Sequence, residues 1–363
     1  MSRQIFLGGK AGVKKIMIGG GTQIPVQSMW KESIAAASET ELQDCAEKLC
    51  KLSMLGLDIM RFAVPDAESA EALKKLSLLT NIPLVADIHF DYRLAVQCME
   101  GGAIAAIRIN PGNIGDVKKV TTVVEAARNA AVPLRIGVNS GSLPKDLAGL
   151  ETAEALVKAA EREMEVFERL NFTNYAVSLK ASDLETTVAA NQRFAQKYDI
   201  PLHLGVTEAG PAISGAIKSA VAFYRLLHEG IGDTIRVSLS DSCELEVLAG
   251  VEILKACGKI HGGVKLISCP RCGRNGFDVH SFVQRWQSRL YTLNKNVTIA
   301  VMGCAVNGPG EAKNADIGIS GGKDFAVIFK NGKIVNNITL KNCSEDEKKK
   351  KVDEAFEHEL KTL

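Results

Sequence analysis

The stretch PLVADIHFDYRLAVQCMEGGAIAAIRIN, residues 83–110, decides the fold of this chain. Two short β-type runs, 83–90 and 103–110, enclose a segment of helical character, which is the pattern of a β-α-β unit. The alternation extends in both directions, and the strand candidates are 25–29, 58–64, 83–90, 103–110, 133–139, 175–182, 201–208 and 234–241. Eight such units in about 230 residues predict an α/β fold of the TIM-barrel type. An open, doubly wound sheet is the alternative.

The rhythm of the sequence changes after Gly262. The elements predicted there are a strand at 264–270, a helix at 278–293, a strand at 296–304, a meander with an Asn331-Gly332 hairpin turn, and a final helix that Ser344 can cap. These elements predict a smaller α+β domain after the barrel. We therefore expect the barrel to span 1–257 and the second domain to span 258–363.

Charge and cysteine content exclude several classes of protein. Lys and Arg total 44 against 42 Asp and Glu, a formal net charge of +2, which gives no electrostatic basis for nucleic-acid binding. The N-terminal residues lack the apolar core of a signal peptide, and no apolar run is long enough to span a membrane. Nine scattered cysteines, an odd number, favour reduced thiols over a disulfide framework. We expect a cytoplasmic protein.

Polar side chains recur two residues apart near the ends of the predicted strands. Residues at that spacing share one face of a strand, and barrel active sites lie at the C-terminal ends of the strands. The cations of this set are Arg61, Arg108, Arg135, Lys180 and Arg236. Five cations around one opening need an anion, and phosphate or diphosphate suits arginine forks. Asp87, Glu208 and Asp241 could supply part of the counter-charge.

Some of these residues also have structural interpretations. A single arginine at a barrel rim can belong to a structural ion pair, although five together favour a ligand site. His89 and His203 are equally compatible with buried, hydrogen-bonded histidines. Glu208 ends a predicted strand beside glycines in GVTEAG, and it is the best candidate for a proton donor near an anionic substrate.

Three cysteines near the C-terminus form a soft-ligand set: Cys269 and Cys272 in CPRC, and Cys304 in GCAVNGPGEA. Thiolates favour zinc or iron–sulfur clusters over harder ions. A closed zinc site could use Cys343 as its fourth ligand. The glycines around Cys304 favour an iron–sulfur cluster instead, because their exposed N–H groups can donate to cluster sulfur.

The chain resembles the bacterial 4-hydroxy-3-methylbut-2-enyl diphosphate synthases, reductive enzymes of the non-mevalonate isoprenoid pathway. The resemblance covers essentially all 363 residues. The strings that carry it are PVQSM, ADIHFD, RINPGNIG, RIGVNSGSL, LGVTEAG, SCPRCGR and MGCAVNGPGEA. The run SMWKES departs from the small polar run that the family usually has after VQSM, so the contacts of Trp30 and Lys31 are not implied.

The resemblance implies a TIM barrel followed by a reductase-like module with a 4Fe-4S cluster. The implied cluster ligands are Cys269, Cys272, Cys304 and Glu311. Glu311 is also implied to be catalytic, because a carboxylate is a harder ligand than a thiolate and its departure would open one iron to substrate. Glu208 is the implied proton donor. The residues assigned to substrate binding are Arg61, Asp87, Arg108, Asn110, Arg135, Asn139, Lys180, Arg236 and Ser238.

The implied reaction opens the ring of 2-C-methyl-D-erythritol 2,4-cyclodiphosphate and removes a hydroxyl as water, with two electrons. No flavin or nicotinamide motif is present, so ferredoxin or flavodoxin is the expected donor. The resemblance also implies a homodimer in which one subunit's barrel faces the other's cluster module. Two rival functions are a phosphate-handling transferase with a structural zinc and a zinc-ribbon binding module.

Overall fold

The computed structural model describes residues 1–110, 114–115, 117–270, 272–273, 276–293, 295–304, 310 and 313–363. The chain forms two compact units, Met1–Ile260 and His261–Leu363. The division predicted from the sequence lies three residues earlier, between 257 and 258.

The first unit begins with a β-hairpin. Its antiparallel strands are β1 (Ile5–Leu7) and β2 (Ile16–Ile18). The buried side chains of both strands pack on Ile59, Val85, Ala106 and Ala176, which lie near the start of barrel strands. The hairpin therefore covers the N-terminal end of the barrel. This hairpin lies outside the elements predicted from the sequence.

Eight parallel strands follow, and they form the barrel. They are β3 (Gln27–Met29), β4 (Ile59–Ala63), β5 (Leu84–Ile88), β6 (Ala106–Ile109), β7 (Leu134–Asn139), β8 (Tyr175–Lys180), β9 (His203–Leu204) and β10 (Thr234–Ile235). Strands β3 to β8 form one sheet in sequence order, and β9 pairs with β10. The bridges Val177–Leu202 and Val26–Ile235 close the circle. The predicted TIM barrel is confirmed, and the open sheet is excluded.

The last two strands are much shorter than predicted. The runs 201–208 and 234–241 each contribute only two residues of regular strand. Their remaining residues form the loops that follow β9 and β10, and these loops carry Glu208 and Ser238. The sequence therefore located the strands correctly but overestimated their length.

Eight helices of the described residues surround the barrel. They are α1 (Glu39–Met54), α2 (Ala67–Leu79), α3 (Tyr92–Met99), α4 (Val117–Asn129), α5 (Thr152–Arg169), α6 (Leu184–Lys197), α7 (Ala212–His228) and α8 (Cys243–Ala256). Ser38 caps α1 in a capping box, and Asp183 and Ser242 cap α6 and α8 through their side chains. None of the described helices is long and apolar enough to cross a membrane.

Residues of the strands alternate between the helices and the barrel interior, as the pleat requires. The outward side chains Ile107, Ile109, Leu134 and Ile136 are completely or almost completely buried within the main apolar core. Arg108, between Ile107 and Ile109, points inward. The polar residues that the sequence placed on one face therefore meet inside the barrel, above an apolar floor.

In its described residues, the second unit is a five-stranded mixed sheet with two long helices. Its elements are β11 (Val264–Ser268), α9 (Val279–Tyr291), β12 (Val297–Val301), β13 (Ile317–Gly322), β14 (Phe325–Lys330), β15 (Lys333–Thr339) and α10 (Glu345–Lys361). Strand order follows the sequence, with β11 to β13 parallel and β13 to β15 antiparallel. The predicted α+β organisation is confirmed.

An aromatic cluster holds the two helices of this unit together. Phe356 of α10 lies edge-on to Phe282 and Trp286 of α9, with ring centroids 5.1 Å apart in both pairs. The Asn331-Gly332 turn has positive φ at both residues, which matches the tight hairpin predicted. Ser344 caps α10 in a capping box, also as predicted.

Candidate active site

Asp87 is the central anion of the barrel interior. Its side chain is 2% exposed at the end of β5. Arg108 Nη1 lies 3.1 Å from Asp87 Oδ1, while Arg61 Nε and His89 Nε2 lie 3.6 and 3.4 Å from Oδ2. Burial alone would raise the pKa of Asp87, but Arg61, the hydrogen bond from His89 and Arg108 outweigh burial and hold the pKa well below its ordinary value. Asp87 therefore stays ionised and orients two arginines.

Arg108 is fixed from two sides. Besides Asp87, its Nη2 donates to the Gly137 carbonyl at 3.1 Å. A Cβ on Gly137 would collide with the Arg108 guanidinium, so glycine at this position makes room for it. Gly205 does the same for Lys180, because a Cβ there would lie 2.7 Å from Lys180 Nζ. The two glycines thus leave room for two cationic side chains in the barrel interior.

Only some of the hydrogen-bond donors of Arg135 have a partner. It pairs in register with Arg108 across β6 and β7, and its Nη1 donates to Gln27 Oε1 at 2.9 Å. Its Nε and Nη2 atoms are buried without a hydrogen-bond partner, as is Nε of Arg236. Buried donors of this kind are costly unless a ligand accepts from them.

Burial and mutual repulsion lower the pKa values of several cations of this site. Burial lowers the pKa of Lys180 well below its ordinary value, and the neighbouring arginines lower it further. The same causes lower the pKa of Arg135 well below its ordinary range, and burial lowers the pKa of Arg61 to about 10. A bound anion would relieve both costs.

His203 lies in the same interior but is neutral. It is buried, its Nδ1 lies 2.6 Å from Thr234 Oγ1, and burial with the nearby cations lowers its pKa well below the ordinary value. This matches the interpretation as a buried, hydrogen-bonded histidine. His89 is different, since its side chain is 43% exposed and its ring contacts Asp87 and Arg108.

The second buried anion is Glu246, which the sequence analysis missed. This residue of α8 is completely buried and lies 3.3 Å from Arg236 Nη2 and 2.6 Å from Lys31 Nζ. Asp241 and Glu208, expected to provide counter-charge, are both exposed, so that part of the expectation was wrong. The only sequence signal for Glu246 was an acidic residue in the first turn of a helix that directly follows a barrel strand.

The remaining predicted residues lie around the same opening. Asn110 Nδ2 donates to Ser142 Oγ at 3.3 Å, and Asn139 pairs in register with Lys180. Ser238 is half-buried in the loop after β10. Glu208, in the loop after β9, has a φ of +52°, a left-handed conformation that is uncommon for glutamate. The barrel thus brings together the substrate residues assigned from the sequence.

The charges of this site are unbalanced. Five cations, Arg61, Arg108, Arg135, Lys180 and Arg236, face two buried carboxylates, Asp87 and Glu246. Uncompensated buried charge is expensive, and arginine forks match the oxygens of phosphate groups. The interior can therefore bind a compact polyanion such as a diphosphate.

Inorganic pyrophosphate is expected to stabilise the protein and to bind with proton uptake. An anion favours charged Lys180, so its lowered pKa must rise on binding, and protons are taken up between that lowered value and about pH 10.4. At a hundred times its Kd, the ligand should add about 2.7 kcal/mol to the free energy of unfolding. Thermal unfolding and calorimetry in buffers of different ionisation enthalpy measure both effects. No proton uptake at a pH where pyrophosphate is fully ionised, or a shift that chloride at equal ionic strength reproduces, would contradict this assignment.

Two cysteines of the second unit, Cys269 and Cys304, lie at one end of its sheet. Cys269 directly follows β11 and Cys304 closely follows β12, its parallel neighbour. The Gly303 N–H donates to Cys269 Sγ at 3.0 Å, and Gly276 and Phe277 N–H groups donate to the Gly303 carbonyl. These two bonds hold the chain after Cys272 against the loop that carries Cys304. The Gly303 N–H is a donor of the kind that iron–sulfur ligands use.

Cys343 does not belong to this group. It follows β15, which is three strands from β12 in the sheet, a separation of about 14 Å at ~4.8 Å per strand. Its Sγ accepts from Lys351 Nζ at 3.2 Å. The alternative zinc site that used Cys343 is therefore wrong.

The described residues contain no cluster of three or more His, Cys, Asp or Glu side chains close enough to hold a metal ion. Glu311, assigned as the fourth ligand, lies outside the described residues. All nine cysteines are described and none forms a disulfide. Cys50, on α1, is exposed.

Comparison with known proteins gives matches over both units. The family models described as the GcpE TIM-barrel domain and the GcpE protein C-terminal domain match residues 9–251 and 265–354. Proteins named 4-hydroxy-3-methylbut-2-en-1-yl diphosphate synthase (flavodoxin) from Treponema denticola and Treponema pallidum are each 53% identical, covering 100% of this chain and 99% and 92% of their own lengths. One from Thermodesulfovibrio yellowstonii is 45% identical over 93% of this chain and 94% of its own. The chain therefore belongs to the GcpE family.

Proposed function

We propose that this protein is a 4-hydroxy-3-methylbut-2-enyl diphosphate synthase, an oxidoreductase of isoprenoid biosynthesis. It opens the ring of 2-C-methyl-D-erythritol 2,4-cyclodiphosphate reductively, and a hydroxyl leaves as water. The observation that carries the proposal is the excess of buried cations inside the barrel of a chain that is 53% identical, over its full length, to proteins named for this activity.

The barrel unit binds the diphosphate in this proposal. Arg108, Arg135, Lys180 and Arg236 hold its oxygens, and the unpartnered donors of Arg135 and Arg236 find acceptors there. Asp87 orients Arg61 and Arg108 rather than touching the phosphates, because a carboxylate repels them. Asn110, Asn139 and Ser238 line the opening above. Fixing both phosphates fixes the carbon skeleton, and positioning of this kind lowers the barrier to reaction.

The second unit holds the cofactor. We propose that Cys269, Cys272, Cys304 and Glu311 bind a 4Fe-4S cluster. The support is the placement of Cys269 and Cys304 at the ends of neighbouring strands and the Gly303 N–H directed at Cys269 Sγ. When bound, the cluster supplies electrons and a Lewis-acidic iron.

The electrons come from flavodoxin in this proposal. The relatives carry flavodoxin in their names, and the sequence shows no flavin or nicotinamide motif of its own. Three cysteine ligands must remain thiolates, and none of the nine cysteines forms a disulfide. A reducing compartment such as the cytoplasm suits both requirements.

We propose that the protein is a homodimer in which each barrel faces the partner's cluster unit. An apolar surface on α7 supports the association. Ile213, Ile217, Val221 and Tyr224, three or four residues apart, are all well exposed there. A continuous apolar surface of this kind marks an interaction site in most proteins.

The test of the function uses protein purified without oxygen. If the cluster is bound, the sample should be brown and should contain iron and sulfide in equal amounts. Reduced flavodoxin and the cyclic diphosphate should then give the linear hydroxybutenyl diphosphate, identified by mass spectrometry. A colourless protein with stoichiometric zinc, or a brown one that leaves the substrate unchanged, would refute the proposal.

Glu208→Gln is expected to lower kcat by about 10²–10⁴-fold, the range for loss of a general acid. Glu208 is exposed in the loop after β9 in a left-handed conformation, and in this proposal it protonates the departing oxygen. Pyrophosphate affinity and cluster content should remain normal. Glu185→Gln, which changes an exposed side chain of α6, is the control. Full turnover in Glu208→Gln would show that another group donates the proton.

A further inference from the structure

Glu246 lies where the barrel closes. It is in the first turn of α8, the helix that follows the loop after β10, and its side chain has no exposed surface. The barrel closes beside it through the bridge between Val26 and Ile235, the latter at the end of β10. Regular hydrogen bonding between the first and last strands is therefore short at this seam.

Four groups donate to the carboxylate. Ser28 Oγ donates to Oε2 at 2.7 Å, and Lys31 Nζ donates to Oε1 at 2.6 Å. The Leu239 N–H and Arg236 Nη2 also reach Oε1, at 3.0 and 3.3 Å. Burial disfavours the charged form, but Arg236 and the hydrogen bonds from Lys31, Leu239 and Ser28 outweigh burial and lower the pKa of Glu246.

These four donors come from two separate loops. Ser28 and Lys31 belong to β3 and the loop after it, whereas Arg236 and Leu239 follow β10 and enclose Ser238. Lys31 Nζ also donates to the Leu239 carbonyl at 3.2 Å. One carboxylate thus connects the first loop of the barrel to the last.

The first loop is held so that Lys31 reaches this carboxylate. Trp30 is buried, and its ring stacks on Phe62 at 5.3 Å between centroids. Its backbone N–H donates to the Arg61 carbonyl at 2.9 Å. Trp30 and Lys31 are the residues that depart from the usual family sequence. In this chain, Trp30 packs the first loop against Phe62, and Lys31 is a counter-ion of Glu246.

We propose that Glu246 is a positioning residue for diphosphate binding, which holds Arg236 and the Ser238–Leu239 loop in place with Lys31 as its counter-ion. This inference rests on the proposed function, in which Arg236 contacts the diphosphate and Ser238 lines the opening above it. Arg236 has an unpartnered Nε beside the anion site while its Nη2 is held by Glu246. The carboxylate therefore sets the direction in which the remaining donors point.

A simple charge effect predicts the opposite result. Removing a negative charge near an anion site strengthens the attraction for pyrophosphate, because less positive charge is cancelled. Removing a positioning residue weakens binding, because Arg236 and the Leu239 N–H lose their common acceptor. The sign of the change in affinity therefore separates the two roles.

The test is Glu246→Gln in holoprotein purified without oxygen, titrated with inorganic pyrophosphate by calorimetry. We expect the Kd to rise about tenfold, equivalent to ~1.4 kcal/mol. KM for the cyclic diphosphate should rise in parallel while kcat changes less than about threefold, the signature of lost uniform binding. Unchanged or tighter pyrophosphate binding would overturn the proposal.

Two further variants cover a failure to fold and the role of Lys31. Glu246→Gln with Lys31→Met removes both charges together, and it should still bind pyrophosphate about tenfold more weakly. Lys31→Met alone leaves Arg236 and Leu239 on Glu246, so we expect only about a threefold loss, within the range of a partly exposed pair. A loss in Lys31→Met as large as in Glu246→Gln would make Lys31 a direct anion ligand and overturn the assignment.

Glu32→Gln is the matched control, since Glu32 is an exposed carboxylate of the same loop paired with Lys48 at 3.5 Å. It should bind pyrophosphate as the unaltered protein does. Calorimetry with pyrophosphate needs no turnover. A protein that lacks the proposed activity, but shows this pattern of affinities, would therefore refute the function and leave the positioning role standing.

Discussion

Asp87→Asn should lower the free energy of unfolding by about 3–5 kcal/mol at neutral pH, the usual cost of removing one partner from a buried ion pair. The substitution keeps the shape of the side chain but leaves Arg61 and Arg108 without their shared anion. Chemical denaturation at pH 7 measures the loss. Because the pKa of Asp87 is lowered in the folded protein, the stabilisation is fully present above the unfolded pKa of about 3.9, and it is lost progressively as the pH falls from there through the much lower folded pKa.

The matched control is Asp146→Asn. Asp146 pairs with Arg162 at 2.6 Å, but both side chains are largely exposed, so its loss should cost far less than the loss of Asp87. Equal effects of the two substitutions at pH 7 would mean that Asp87 is not the main counter-charge of the barrel. A difference that persists unchanged to pH 3 would argue against its lowered pKa.

Cys269→Ser should remove the cluster and reduce turnover by at least about a thousandfold, because serine offers a hard, protonated oxygen in place of a thiolate. The protein should be purified colourless without oxygen, with little bound iron. Its far-ultraviolet circular dichroism should remain normal, since Cys269 lies after the end of β11 and is only partly buried. Visible absorption and iron analysis provide the measurement.

Cys343→Ser is the control that distinguishes a cluster from the structural zinc alternative. Cys343 lies at the far side of the sheet with Lys351, and its loss should leave colour, iron and turnover intact. If Cys343→Ser lost metal as completely as Cys269→Ser, the ligand assignment would have to be rebuilt around four cysteines.

The barrel could be predicted because its signals are local. Pro83, Pro133 and Pro201 precede strands, and polar residues two apart mark the face that meets inside. Ile107, Arg108 and Ile109 illustrate this, with two outward apolar residues around one inward cation. The alternation of strand and helix then leaves few other folds. The interior cations therefore followed from the sequence once the strands were located.

What could not be predicted depends on contacts between distant residues. Glu246 looks like an ordinary acidic residue at the start of a helix, and its burial depends on Ser28 and Lys31, more than two hundred residues away. The strands of the hairpin at Ile5–Leu7 and Ile16–Ile18 are too short to give a periodic signal. Their role depends on the open end of a barrel that forms only when the whole unit folds.

The hairpin below the barrel has a practical consequence for handling the protein. Ser2 Oγ donates to Asp233 Oδ1 just before β10, so Met1 emerges beside the starts of the strands. An affinity tag attached there would extend from the face opposite the substrate opening. A polyhistidine tag attached after Leu363 would instead follow the unit that carries Cys269, Cys272 and Cys304, where its histidines could compete for the iron of the proposed cluster during reconstitution.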